Sequence, residues 1–476
     1  MKSTATHPVR LTGSTALRWG WRFARDPLLG TQGAFDTWGP FVILADALPF
    51  IRPKRAALLG VPLVLTAGPA FHRELLSAPE KWRGVSLLPG GPRDSAARRM
   101  SAGLTRLTGD RHAYHRKLLM PPLRKARVET MAENMARLAV AETAAWPIGT
   151  KIDLWEYARR IVRSFAVELL FGGNTEQSRA IADLVSRLME RKWDWTATAF
   201  PINLSITTYG QIVRDAEVLE RWILQWLAAK RGPVDDNDLA AIIVNSNDAA
   251  GHQPDAAAAI GQLASLFAAA SEASHSALVW ALLLLVQHPS IAADLLDELH
   301  NQLGDPSPSL AKAGALPYLD AVVREALRIL PPVPIQVRVA QHDTTIAGHE
   351  FPKGTRVMLN TFLTNRMPAL YPEGNAFRPK RWFTITRTPF EFPVFSAGPH
   401  SCPGYWFGTT AVKIALAAIL TRYRIDLSPN ARIDYRVQPT LRPRQGFPVL
   451  LRRQDGGRAT PTPISGNIRN LIKFPE

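Results

Sequence analysis

Apolar residues recur along this chain mostly at helical spacing, and prolines cut the pattern into segments. Pro254 and Pro289 bracket 34 residues without an internal proline, Ala- and Leu-rich nearly all round. That pattern predicts a buried helix ~50 Å long at the α-helical rise. Its middle reads Ala269-Ala270-Ser271-Glu272-Ala273-Ser274. A carboxylate there is costly unless it is paired, wetted or used. A second helix is predicted over 319–330, stopped by Pro331 and Pro332, and a final long one over 405–423. Residues 129–230 read as helical, with a break near Pro201 and Gly210 and an apolar junction over 193–212. β-Branched and Leu-rich runs predict strands at 61–66, at 335–340 and within 344–359, with turns at Gly348 and Pro352-Lys353-Gly354. Residues 84–95, rich in Gly and Pro, read as a loop. Trp19, Trp21 and Phe23, interleaved with Arg18, Arg22 and Arg25, predict a helix packed on the body of the protein. An interfacial amphipathic helix is the alternative there. These elements predict a mainly α fold with a smaller β region, and a loosely held tail from Gln454 onward.

Composition narrows the class. Of 476 residues, 46% are hydrophobic and 20% charged, which excludes a wholly disordered chain and a fibrous repeat. The run over 277–286 is ten residues, short of the ~18 a membrane span needs. The first ten residues lack the apolar core of a secretory signal, so the expected compartment is the cytoplasm. Lys and Arg number 57 against 40 Asp and Glu, a formal charge of +17 that implies an acidic partner. Residues 98–127 carry nine of these cations against the single acid Asp110.

One cysteine makes no intrachain disulfide and no Cys-based zinc site. Cys402 lies in Phe395-Ser-Ala-Gly398-Pro-His400-Ser-Cys402-Pro-Gly404, directly before a predicted helix. Amides and the dipole at a helix start favour an anionic sulfur. Gly398 and Gly404 would let the backbone approach a flat cofactor. The bland alternative is a buried structural cysteine in a Gly/Pro turn.

The spacing Phe-x-x-Gly-x-basic-x-Cys-x-Gly resembles the heme-ligand loop of the cytochrome P450 family. Glu325-Ala-Leu-Arg328 resembles that family's Glu-x-x-Arg helix, and Phe377-Arg-Pro-Lys-Arg381-Trp382 its downstream Arg-containing loop. His112-Ala-Tyr-His-Arg116 resembles the His-x-x-x-Arg helix of bacterial members, and 269–274 aligns with the oxygen-binding stretch of the central helix. The resemblance runs from about residue 26 to 452. It implies an N-terminal extension (1–25), one P450 catalytic domain (26–453) and a C-terminal tail (454–476).

The resemblance also implies roles. Cys402 is the metal ligand, the proximal thiolate of a heme b (iron protoporphyrin IX), with Phe395 packing near the heme face and Gly398 and Gly404 letting the loop approach it. His112, Arg116, Arg338 and His400 are implied partners of the heme propionates, while Ala269 and Ala270 leave room above the iron. Glu325, Arg328 and Arg381 form a supporting ion-pair network. The expected reaction is insertion of one oxygen atom from O2 into a hydrophobic small molecule. No Gly-rich dinucleotide fingerprint follows a strand, so electrons are expected from a separate acidic ferredoxin or flavodoxin. That donor would dock on the basic run around Arg116, Lys117, Arg124 and Lys125. The segments 84–108, 193–212, 268–273 and 333–337 are expected to line the distal pocket, and membrane contact is expected to be peripheral at most.

One departure is visible. The family has an acid followed by Thr in the central helix; here Glu272 is followed by Ala273, and Ser274 comes one position late. A helical step of ~100° points Ser274 elsewhere. The catalytic stretch Glu272, Ala273 and Ser274 therefore leaves two readings: an O2-using monooxygenase, in which water or substrate supplies the hydroxyl or Glu272 suffices, or a peroxide-driven or redox-neutral heme enzyme. A basic nucleic-acid or membrane-surface binding protein is a third, supported by net charge alone; nucleic acid is not an expected partner, since neither zinc-finger spacing nor an aromatic-basic RNA motif is present.

Overall fold

The proline-free stretch folds as one helix, Ala256–Gln287, which the rest of the chain surrounds. The computed structural model describes residues 7–44, 62–86, 88–173, 175–192, 194, 196–197, 200–229, 239–245, 256–304, 310–438, 440–456 and 462–475. Val61, Leu87, parts of the 193–199 junction and residues 457–461 lie outside the described residues. Residues 277–286 of the central helix are each no more than 5% exposed. This helix is long and apolar enough to cross a membrane, but 78% of its apolar window is buried in protein, so its all-round hydrophobicity serves a core.

Three helices fix its surroundings. Leu154–Phe171 lies along it, and Tyr405–Leu420 crosses it while packing on Lys125–Ala144. Pro317–Ile329, begun by Pro317 at its first turn, buries Glu325 to Ile329. The final helix ends at Leu420 instead of running to 423, because Tyr423 begins the strand Tyr423–Leu427.

A six-stranded mixed sheet flanks the helical body, in the order Val9–Leu11, Phe41–Leu44, Leu63–Thr66, Arg356–Asn360, Ile335–Ala340, Trp82–Arg83. Within it Arg338 pairs with Val357 and Gln336 with Leu359. The two-residue strand period puts Gln336 and Arg338 on one face. The segment 344–359 resolves into three short strands with Gly348 at positive φ in the first turn.

Helix Gly13–Arg25 packs on the body through Ala16, Trp19 and Phe23, leaving Trp21 56% exposed. The chain's end differs from the expected loose tail. Ile464, Ile468, Leu471 and Ile472 are buried, and Lys473 bridges Ala376. Four apolar anchors outweigh the Gly/Pro content that suggests mobility.

Candidate functional site

The cysteine loop is held from both sides. The Cys402 amide donates to the Phe395 carbonyl at 2.7 Å, closing the turn that carries the sulfur. From the sheet, Gln336 Nε2 donates to the Pro393 carbonyl at 2.8 Å and Arg338 donates to Ser396 Oγ at 3.1 Å. From helix Gly109–Leu119, Arg116 donates to the Ser401 carbonyl at 2.7 Å and to its hydroxyl at 2.8 Å. Phe395 meets Tyr405 edge-on at 4.7 Å. The two glycines differ in purpose. Gly398 has φ +63°, and a Cβ there would lie 2.4 Å from the Leu76 carbonyl oxygen. That close approach by itself excludes a side chain at 398. Gly404 begins helix Tyr405–Leu420, and its amide hydrogen-bonds the sulfur.

Cys402 is exposed by surface area. It is also densely surrounded: burial pushes its thiol up, against the opposing pull of the Gly404 amide and the Arg116 charge. A thiol that is both accessible and desolvated borders an internal space, not bulk water. The central helix shows the other side of such a space. Ala269 is exposed and Leu266, Ala270, Glu272 and Ala273 are half-exposed, while Ala268, Ser271 and Ser274 are buried. Positions 266, 269, 270 and 273 fall on one face of a helix, so the opening is a stripe. Ser274 faces away from it: a Cβ on Gly408 would lie 3.4 Å from Ser274 Oγ.

Two guanidiniums, Arg116 and Arg338, and two imidazoles, His112 and His400, converge beside the loop. His112 and His400 stack with centroids 4.0 Å apart. Burial, then His112, Arg338 and Arg116, lowers the His400 imidazole to about 4, and its Nε2 is buried without a partner. Burial lowers Arg338 to about 10. The register that sequence leaves open thus turns Arg338 inward. Among the described residues no carboxylate bonds any of the four. Buried cations without counter-ions are costly. A heme fits this arrangement: its two propionates would neutralise the cluster, and its iron would meet the thiolate.

Glu272 is half-exposed by surface area yet densely surrounded by protein. Burial raises its carboxyl; Arg442 and Arg159 oppose the shift and Glu190 adds to it. One turn on, His275 Nε2 meets the Trp155 carbonyl at 2.8 Å, and burial lowers its imidazole to about 3. A lowered folded-state value means full stability above the ordinary 6.5 and loss as pH falls from there toward 3. By pH 5 this histidine alone is expected to remove about 2 kcal/mol. Thermal unfolding at pH 7.5 and pH 5 should therefore show a smaller acid shift in His275→Gln than in the parent; equal shifts would remove His275 from the acid response.

Glu325 and Arg328 are fully buried and bidentate, at 2.8 and 2.9 Å. Arg381 adds 3.0 Å to Glu325 Oε1. Sequence reasoning missed other members: Trp382 Nε1 and the Arg378 amide also donate to Glu325, and the carbonyls of Asn365, Gly374 and Ala376 accept from Arg328. It also missed Gln336, Ser396 and Ser401, whose polar side chains give no motif. Residues 84–108 do approach the central helix, with the Leu104 amide on Gln262 and a Gly103 Cβ position 2.1 Å from Ser265 Oγ. The described apolar side chains of 200–206 instead face solvent, 52–85% exposed, and do not line the interior.

Known proteins resemble this chain in sequence and in fold. The chain is 28% identical over 366 residues to cyclooctatin synthase of Streptomyces melanosporofaciens, covering 74% of this chain and 79% of that protein. It is 23% identical to cytokinin hydroxylase of Arabidopsis thaliana, covering 74% and 72%. The solved structure of retinoic acid bound cyanobacterial CYP120A1 shares the fold, with a TM-score of 0.74 and 22% identity over 90% of this chain and 95% of that one. Residues 58–449 match the family model for cytochrome P450. A heme-iron cofactor and O2 use go with that family, and the chain is an oxidoreductase that belongs to the cytochrome P450 monooxygenases.

Proposed function

We propose that this P450 inserts one oxygen atom from O2 into a neutral, hydrophobic small molecule, with heme b as cofactor and electrons from a separate acidic ferredoxin or flavodoxin in the cytoplasm. The observation that carries this reading is the accessible, desolvated Cys402 beside two guanidiniums, Arg116 and Arg338, that no carboxylate bonds among the described residues. Cys402 would hold the iron; His112, Arg116, Arg338 and His400 would hold the propionates. When bound, the heme supplies dioxygen activation, helped by the electron donation of its thiolate ligand.

The chain's own residues do the rest. The Gly404 amide and Arg116 temper the sulfur's charge. Glu272, its carboxyl raised by burial, can hold a proton closer to neutral pH than an exposed acid. Ala273 offers no hydroxyl and Ser274 faces Gly408, so a water or the substrate completes the relay. The stripe around Ala269 and Ala270 is small and uncharged, which suits an apolar ligand.

Ala273 also keeps a peroxide-driven reaction as the second reading. Product formed with O2, an electron donor and reductase, and little with peroxide alone, is the expected result. The reverse pattern would select the peroxide reading.

Support for the donor comes from where the basic run sits. Lys125 lies over the exposed Trp406 ring at 5.5 Å, and Arg116 is bonded one residue before Cys402. Lys117, Arg124 and Lys125 are exposed there. Reduction by an acidic ferredoxin should slow as salt rises, and a Lys117→Glu/Arg124→Glu variant should slow it about tenfold at low salt. A rate indifferent to both changes would remove the docking assignment.

A further inference from the structure

Three guanidinium groups from separate segments gather on the sheet face that turns away from the cysteine loop. Arg83 pairs with Val339 and Val339 with Arg356, so these residues form one row across three neighbouring strands. Residues in register point to the same side of a sheet, and successive residues of a strand to opposite sides. Arg338 reaches the cysteine loop from one side, so its neighbour Val339 and the two arginines lie on the other. Two strand spacings put the two arginine backbones ~10 Å apart, close enough for both side chains to reach one ligand. Val339, between them, is too short and apolar to pair with either.

The third group comes from the 84–108 loop. A Cβ on Gly84 would lie 2.3 Å from the Thr105 carbonyl oxygen, so the chain just after Arg83 runs against the residue before Arg106. Arg106 is oriented by a neutral partner: Nη1 donates to Ser101 Oγ at 3.0 Å, and Ser101 Oγ donates to the Arg98 carbonyl at 2.8 Å. Burial lowers all three guanidiniums. The Arg98 and Arg83 charges lower Arg106 further, and the Arg83 charge lowers Arg356.

Like charges held together and partly desolvated are costly, and elsewhere this chain answers the cost with a carboxylate. Buried Arg328 has Glu325, and half-buried Arg191 has Asp215. Among the described residues no carboxylate bonds Arg83, Arg106 or Arg356, and Ser101 is the one side chain that bonds any of them. A guanidinium fork matches the paired oxygens of a carboxylate or a phosphate. Three forks half-buried between a sheet and a loop suit a group small enough to enter between them.

We propose that Arg83, Arg106 and Arg356 form a binding site for a small oxyanion, a carboxylate or phosphate group, between the sheet and the 84–108 loop. The site is separate from that of Arg338, which faces the cysteine loop from the opposite side of the same sheet. It does not rest on the reaction proposed above.

Isothermal titration calorimetry of the full-length, heme-loaded protein tests this, with inorganic pyrophosphate as the probe. One pyrophosphate should bind, more weakly as salt rises. Arg106→Gln/Arg356→Gln should weaken binding at least about tenfold, with circular dichroism and the Soret band unchanged. Arg106→Lys keeps the charge but not the fork, and should lose less than Arg106→Gln. Laurate separates the two sources of the anion. Displacement of pyrophosphate by laurate but not by dodecanol assigns the site to the head group of an amphiphile; pyrophosphate binding indifferent to laurate assigns it to a free ion. Absence of pyrophosphate binding, or a double variant that binds it like the parent, would overturn the proposal.

Discussion

Replacing Cys402 with alanine is expected to abolish the red-shifted, thiolate-type Soret band of the reduced, CO-bound protein, and with it O2-dependent turnover. The sulfur is the only thiol in the chain, so no second cysteine can take its place. The fold should survive. The Cys402 amide, not its side chain, closes the loop on Phe395, and Gln336, Arg338 and Arg116 hold that loop through other residues. Circular dichroism should match the parent, and the cation cluster can still retain heme. A variant that keeps the parent's band would remove Cys402 from the metal, and the site assignment with it. Cys402→Ser gives a graded control: it retains a small polar ligand but lacks the electron donation of sulfur.

The second large effect is structural. Arg328→Ala should cost about 3–5 kcal/mol, enough to leave much of the protein unfolded or heme-free at 37 °C. The substitution strands Glu325 as a fully buried carboxylate and removes the donor shared by Asn365, Gly374 and Ala376. A buried ion pair can often be exchanged for two hydrophobic residues at little cost. Here the double variant Glu325→Leu/Arg328→Met should not recover stability, because three carbonyls on one side and Trp382, Arg381 and the Arg378 amide on the other would all lose partners. Trp382→Phe removes one neutral donor and should cost only about 1–2 kcal/mol. Denaturant unfolding of the four proteins would check the order. If the double variant matched the parent, the carbonyl bonds would carry none of the stability assigned to them.

The two cases also differ in what they mean for the site. In the proposed site Cys402 acts on the cofactor, so its loss should change spectra without unfolding. Arg328 never faces the internal space; it pins 365–376, the approach to the cysteine loop, and should act through stability alone. Measuring both unfolding and the CO-bound spectrum on each variant separates them.

Local spacing determined much of this protein in advance. Prolines and apolar periodicity delimit the central helix, because helix geometry depends on neighbours within a few residues. Glu325 and Arg328 meet for the same reason, and the Gly/Pro turn around Cys402 is local chemistry. The tertiary structure decided what depends on distant partners. Arg338 faces the cysteine loop only because its strand pairs in one register with 356–360. Gly398 is required by the Leu76 carbonyl, more than 300 residues away. The segment 462–475, whose composition suggests mobility, is held by four buried side chains, and the oily 200–206 run faces outward. Apolar periodicity marks which positions seek burial, but not which surface receives them or whether a protein surface does. That choice belongs to packing between segments far apart in the chain, which no local pattern encodes.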